Sequence, residues 1–270
     1  MKISSHATHY IKSKDDLNFS EIEYSKFKFG DSNIGNKYGR DLFISFEKKY
    51  REKIKDYEII NVFSSPYFYI PTATLTITEA FIDLLSNKYP EKIIEQKKIN
   101  RTTTYSVDYG NLSASERLKL ISNDIFKIDE KIKENELLIF IDDIKITGSH
   151  EFVVKKMLNS YSISNECIFL YHAILKNKNI DPKFENFLNY GFVKKLSDVN
   201  KIIDSKNFKF NTRVIKYILN SKRKDFLEFI KDKDKSFLTE MLNNAKGNKY
   251  YDIPEYSENF FKLVRLEQQL

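Results

Sequence analysis

The chain has 270 residues and a mass of 32.0 kDa, room for one large domain or a domain with an extension. Its 41% hydrophobic and 14% aromatic content excludes wholesale disorder, and 7 glycines with 5 prolines exclude collagen-like and linker-rich classes. The net charge of +7 comes from residues 171–270, with 20 Lys and Arg against 13 Asp and Glu; residues 1–170 balance at 25 of each. A basic chain points to polyanionic partners, but here the excess is confined to the last third. The single cysteine, Cys167, excludes an internal disulfide framework and a Cys-based zinc cluster. Of the four histidines only His6 and His9 have a paired spacing, near an N-terminus expected to be mobile, and they make a weak ligand set. No stretch approaches the ~18 apolar residues of a membrane span. The N-terminus lacks the apolar segment of a signal peptide, so a soluble cytoplasmic protein is expected.

In chain order, the first region of note is Phe27–Phe43, which holds three of the seven glycines and predicts an ordered loop and the start of a helix. Glu58–Ser65 reads as the first buried strand. Thr74–Tyr89 reads as a helix with Ile77, Phe81, Leu84 and Leu85 on one face, and Glu91–Arg101 as a second strand. A polar loop, Thr102–Asn111, leads to a helix whose start is marked by the Ser113–Glu116 capping box. Glu136–Asp143 is the clearest strand, five apolar residues running into two carboxylates. Gly148–Asn159 reads as the next helix and Glu166–Leu175 as another buried strand. This alternation predicts an α/β fold with a parallel sheet. From about Ser197 the apolar residues recur at helical spacing: Val214, Ile215, Ile218 and Leu219, then runs near Phe226, Phe237 and Phe260. They predict a helical C-terminal extension of about four helices, with an α/β domain over 1–190 and the extension over 191–270.

The chemistry concentrates in Leu137–Glu151. A buried strand delivers Asp142 and Asp143 to its carboxyl end, and a turn with Thr147, Gly148 and Ser149 opens a helix. Ligands of open α/β sheets bind beyond the carboxyl ends of strands, and a helix N-terminus with free N–H groups suits a phosphate. Gly148 lets the backbone approach closely, and the hydroxyls of Thr147 and Ser149 add donors. Two carboxylates repel phosphate, so they suit hydroxyl groups or a hydrated cation. The combination describes a site for a phosphorylated sugar.

The segment resembles the phosphoribosyl-diphosphate (PRPP) binding motif of the type I phosphoribosyltransferases, in which an apolar strand runs into two acids, a threonine- and glycine-bearing loop and a helix. The resemblance implies a parallel-sheet type I phosphoribosyltransferase core. It implies that Asp142 and Asp143 hold the ribose 2- and 3-hydroxyls, and that the Ile146–His150 turn cradles the 5-phosphate. Thr147, Gly148 and Ser149 fit that pattern. The usual loop has an aliphatic residue at Lys145, a small or hydroxylated one at Ile146, and Ser or Thr at His150. These departures leave backbone amides as the main phosphate donors, with Lys145 and His150 as other sources of charge. By position, Phe63–Ala73 is the diphosphate loop, with Ser64, Ser65 and local N–H groups as donors, although the usual Arg, Lys or Gly-rich signature is absent. Lys97–Arg117 corresponds to the mobile hood that closes over PRPP and excludes water. There Arg101 and Lys98 are placed to neutralise the departing diphosphate, and Tyr105 and Tyr109 to pack over donor or acceptor.

The same layout is similar to the amidophosphoribosyltransferase-like proteins of competence and tellurium-resistance gene clusters, where an Arg-containing segment precedes an S-x-x-E-R helix. The implied cofactor is Mg2+, carried mainly by the diphosphate and ribose hydroxyls and reached by Asp142 and Asp143 through water. Asp142, Asp143 and Arg101 are the expected catalytic residues. The expected reaction is transfer of 5-phosphoribosyl from PRPP to a nucleobase-like compound or a sugar hydroxyl in glycan assembly. The expected partners are thus PRPP and a small-molecule or glycan acceptor, with a homodimer left open. The alternative is a PRPP-sensing regulator bound to nucleic acid. It is disfavoured because the Ser221–Lys235 lysines alternate with acids and no nucleic-acid motif is present. A scaffold that has lost activity is opposed by the intact Asp142, Asp143, Thr147 and Gly148.

Overall fold

The computed structural model describes residues 1–102, 112–122 and 125–269. Its centre is a five-stranded sheet built from β1 (Ile3–Ile11), β2 (Ile59–Phe63), β3 (Ile93–Lys97), β6 (Leu137–Lys145) and β7 (Cys167–Leu175). The order is β1-β7-β6-β2-β3 and every pairing is parallel. A separate antiparallel ribbon joins β4 (Asn100–Arg101) to β5 (Phe126–Lys127). β6 and β7 are apolar almost throughout because both of their faces are covered. On one face lie α1 (Glu21–Lys28), α2 (Ser32–Ile54) and α3 (Thr74–Lys88); α5 (Ser149–Ser160) lies on the other. The helix α4 (Ala114–Ser122) starts at the expected capping box. The Ser113 N–H donates to Glu116 Oε2 at 2.8 Å, and the Glu116 N–H to Ser113 Oγ at 3.4 Å.

Beyond the sheet come α6 (Phe184–Asn189), α7 (Leu196–Ile203), α8 (Thr212–Leu219), α9 (Arg223–Ile230), α10 (Lys235–Gly247) and α11 (Pro254–Glu267). The four apolar runs read from the sequence are the buried faces of α8 to α11. These helices share their own core with Phe29 and with Ile70 of the β2–α3 loop, so the loop is anchored in the helical region.

Several elements differ from the sequence reading. The N-terminus is not mobile: Ile3–Ile11 is the edge strand β1, paired along β7. Its Ser, Thr and His residues hide the apolar alternation, and only Ala7 and Ile11 are buried. His6 and His9 do not act as a pair. His6 meets Ser45 and the Tyr50 ring, whereas His9 packs on Phe19 and His172. The glycine-bearing region does contain a turn and a helix start, but the turn is only residues 29–31 and α2, from Ser32, runs 23 residues. Gly35 and Gly39 lie within it because α3 presses against it: a Cβ at Gly39 would stand 2.5 Å from the Ile77 carbonyl oxygen. Glu91–Arg101 divides into β3 and β4, which belong to different sheets. Finally, β6 continues to Lys145, so Asp142 and Asp143 lie inside the strand rather than at its last two positions.

Candidate active site

A cavity of about 1090 Å³ opens at the carboxyl end of the sheet, between it and the helical region. Asp142 and Asp143 both line it, but neighbouring strand positions face opposite ways and the two acids have different partners. Asp142, on the half-buried side, accepts from Ser65 Oγ at 2.6 Å, and its other oxygen lies 3.2 Å from His150 Nδ1. Asp143 is buried. It accepts from the Tyr24 hydroxyl at 2.7 Å and forms an ion pair with Lys28. Burial alone would raise the Asp143 carboxyl, but the Lys28 charge and the bonds from Lys28 and Tyr24 hold it well below the usual carboxylate range. Burial, together with Asp143, raises the Tyr24 phenol, which stays a donor.

Beyond the strand, residues Ile146 to His150 line the cavity as a group. Gly148 takes φ +79 as the N-cap of α5, a conformation that favours glycine. Thr147 Oγ1 and Ser149 Oγ lie 2.7 Å apart. The α5 N-terminus therefore brings backbone N–H groups and two hydroxyls to one point, a cradle for an anion. Lys145 lines the cavity too, but its ammonium is paired with Glu151, which also takes Lys155 and the Tyr171 hydroxyl. These partners, against the opposing effect of burial, lower the Glu151 carboxyl.

The remaining expected residues separate. Ser65 lines the cavity with Asp142, whereas Ser64 is buried and does not line it. Lys98 does not line it either: its ammonium donates to the Phe68 carbonyl at 2.8 Å and lies 4.4 Å from the Tyr67 ring centre. Lys98 therefore braces the β2–α3 loop. Arg101 does reach the cavity, and its backbone N–H donates to the Tyr67 carbonyl at 3.1 Å. Tyr105 and Tyr109 lie outside the described residues. Among those residues, no group of three or more His, Cys, Asp or Glu converges as a metal site.

Sequence reasoning missed Tyr24 and Lys28, the partners of Asp143. Their i, i+4 spacing puts them on one face of α1, but nothing local links that face to a strand more than a hundred residues away. The same reasoning placed Arg117 only at the end of the hood segment, in the S-x-x-E-R helix, and gave it no role of its own. This arginine is buried and ion-paired to Glu185, and donates to the carbonyls of Leu112 and Pro182 at 2.9 and 2.8 Å. It joins α4 to the start of the helical region.

His172, next to Asp143 across the sheet, is stacked on Tyr38 with ring centres 3.7 Å apart and borders Tyr24, Phe19 and His9. Neither ring nitrogen has a hydrogen-bond partner among the described residues. Burial, with His9 and Lys37 adding to it against Asp143, pushes this imidazole down to about 3. The folded chain thus resists a proton that the unfolded chain binds near 6.5. The stabilisation from a neutral His172 is complete above that value and is lost as pH falls toward 3. At pH 5 the loss is about 2 kcal/mol. Denaturant unfolding at pH 7 and pH 5 is expected to show a smaller drop for His172→Phe than for the wild type. Asp143 acts in the same direction at lower pH in both proteins, so the comparison isolates His172.

A family model described as PRTase ComF-like matches residues 4–263. No match is found among curated proteins. Among solved structures, the chain is similar to a hypoxanthine phosphoribosyltransferase from Staphylococcus aureus, at 9% identity and a TM-score of 0.33, covering 52% of this chain and 74% of that one. It is also similar to a purine phosphoribosyltransferase from Pyrococcus horikoshii Ot3, at 12% identity and a TM-score of 0.30, covering 52% and 84%.

Proposed function

The chain belongs to the PRTase ComF-like family, and we propose that it transfers the 5-phosphoribosyl group of PRPP to a small-molecule or glycan acceptor, releasing diphosphate. The observation that carries this reading is the meeting of Asp142 with the Ile146–His150 turn in one cavity at the end of β6. The turn and the α5 N-terminus receive the 5-phosphate. Asp142, which accepts from Ser65 Oγ and from the Asp143 N–H and faces His150, accepts from a ribose hydroxyl. Asp143 contributes through its pairing with Lys28, which lines the same cavity and can turn its ammonium from the carboxylate to a ribose or phosphate oxygen.

In the reaction the bond from ribose C1 to the diphosphate oxygen breaks, and its electron pair leaves with the diphosphate. A nitrogen or oxygen lone pair of the acceptor forms the new bond to C1, and the acceptor's proton passes to the departing diphosphate or to water. Arg101 stabilises the charge that builds on the leaving group. A catalytic contribution of this kind is mostly positioning and charge, so no strong acid or base is required. Mg2+, when bound to the diphosphate, neutralises part of its charge. The oxygen donors present suit an ion held mainly by substrate, with Asp142 reaching it through water. A cytoplasmic location suits the one free, buried cysteine.

The test is incubation of the protein with Mg2+, PRPP and pooled nucleobases and sugars, followed by diphosphate assay and mass spectrometry. Diphosphate release together with an acceptor gaining one phosphoribosyl group is expected. PRPP that stays intact with every acceptor pool would count against transfer.

A further inference from the structure

The β2–α3 loop, residues 64–73, stands where a leaving diphosphate is expected, yet it contains no lysine or arginine. Its conformation is fixed largely from the helical region. Asn248 Oδ1 accepts from the N–H groups of Tyr69 and Ile70, each at 3.0 Å. Thr212, the first residue of α8, donates its hydroxyl to the Ile70 carbonyl at 2.8 Å and its N–H to the Pro71 carbonyl at 2.9 Å. Asn211, the N-cap of α8, donates its side-chain amide to the carbonyl of Lys28 at 3.2 Å. The start of α8 is thus tied on one side to the loop and on the other to the residue that pairs with Asp143.

Arg213 is the next residue, and it lines the cavity together with Thr72, Thr74, Lys28 and Asp143. Its guanidinium lies over the Tyr190 ring, 5.8 Å from the centre, and Tyr190 in turn packs against Tyr217. Its charge also acts on the Tyr24 phenol, which holds Asp143. Consecutive Cα atoms are about 3.8 Å apart, so two adjacent anchors leave the Arg213 backbone little freedom. Arg101 enters the same cavity from the other flank of the loop, through its bond to Tyr67.

We infer that Arg213 binds the diphosphate of the donor, supplying from the helical region the positive charge that the β2–α3 loop lacks. This rests on the phosphoribosyl-transfer reading above. A guanidinium offers a planar fork of donors matched to phosphate oxygens. The Tyr190 face supports that fork through a cation–π contact. The loop contributes backbone groups and shape, and the two arginines on its flanks contribute charge.

Calorimetric titration of Mg2+–PRPP, inorganic pyrophosphate and ribose 5-phosphate into the wild type, Arg213→Ala and Arg213→Lys tests the assignment. Arg213→Ala is expected to weaken PRPP and pyrophosphate about tenfold or more, while ribose 5-phosphate binds within about twofold of wild type. Arg213→Lys is expected to recover part of the loss. PRPP affinity unchanged in Arg213→Ala, with the wild type binding PRPP, overturns the role of Arg213 and leaves the transfer reading standing. Equal weakening of all three compounds assigns Arg213 to bracing Tyr190 instead and also overturns it. A wild type that binds neither PRPP nor ribose 5-phosphate removes the transfer reading, and this inference with it.

Discussion

Asp142→Asn is expected to weaken PRPP binding about tenfold or more while leaving the unfolding midpoint close to wild type, whereas Asp143→Asn is expected to lower both. The two acids are adjacent in sequence, but their surroundings differ. Asp142 is half-buried and bonds to Ser65 and His150, which an asparagine can still engage. What the variant loses is the charge that strengthens a hydrogen bond from a ribose hydroxyl, worth about 1.5 kcal/mol or more. Asp143 is buried against Lys28, whose side chain is itself only 13% exposed. Asparagine keeps the Tyr24 bond but leaves a largely buried ammonium without its carboxylate. Removing one partner of such a pair costs about 3 kcal/mol or more. The Asp143→Asn/Lys28→Met double variant removes the stranded charge and is expected to recover much of that stability. Chemical denaturation of the wild type, Asp143→Asn, Lys28→Met and the double variant forms a double-mutant cycle that reads the coupling directly. Equal stability losses for Asp142→Asn and Asp143→Asn would contradict this division of roles.

Arg117→Ala is expected to be the most destabilising single change, by about 3–5 kcal/mol. The side chain is 1% exposed, and its guanidinium engages Glu185, Leu112 and Pro182. Truncation strands the buried Glu185 carboxylate and releases two carbonyls at once. It also cuts the tie between α4 and α6. Because Arg117 lines the cavity, the variant is expected to lose PRPP affinity as well, and both losses are expected to shrink when Glu185→Gln removes the stranded charge. Urea denaturation of Arg117→Ala, Glu185→Gln and the double variant checks this. A loss below about 1 kcal/mol for Arg117→Ala would place the pair among weak surface interactions.

The sheet was legible wherever a strand is covered on both faces. β6 and β7 carry uninterrupted apolar runs, and α3 and α5 show clear helical spacing beside them. β1 escaped because an edge strand is recognised by its backbone pairing with β7, and its small polar side chains give no pattern. α2 was obscured by Gly35 and Gly39. Glycine has low helix propensity in isolation, but here it is required by the close approach of α3. In the site, the acids and the Thr147–Gly148–Ser149 turn were readable because they are contiguous. The partners that set their chemistry were not. Tyr24 and Lys28 meet Asp143 across 119 and 115 residues, and Thr212, beside Arg213, meets the loop at Pro71 only through the placement of α8. The basic excess of the last third carries little information as a net number. It becomes informative at one residue, where the fold brings an arginine to a loop that has no charge of its own.

The central claim is that the cavity at the end of β6 is a PRPP site. Calorimetric titration of Mg2+–PRPP into the wild type and Asp142→Asn tests it most directly. Saturable binding of one PRPP per chain, weakened about tenfold or more in Asp142→Asn at an unchanged unfolding midpoint, is the predicted result. No saturable binding to the wild type, or equal affinity in the two proteins, would contradict it.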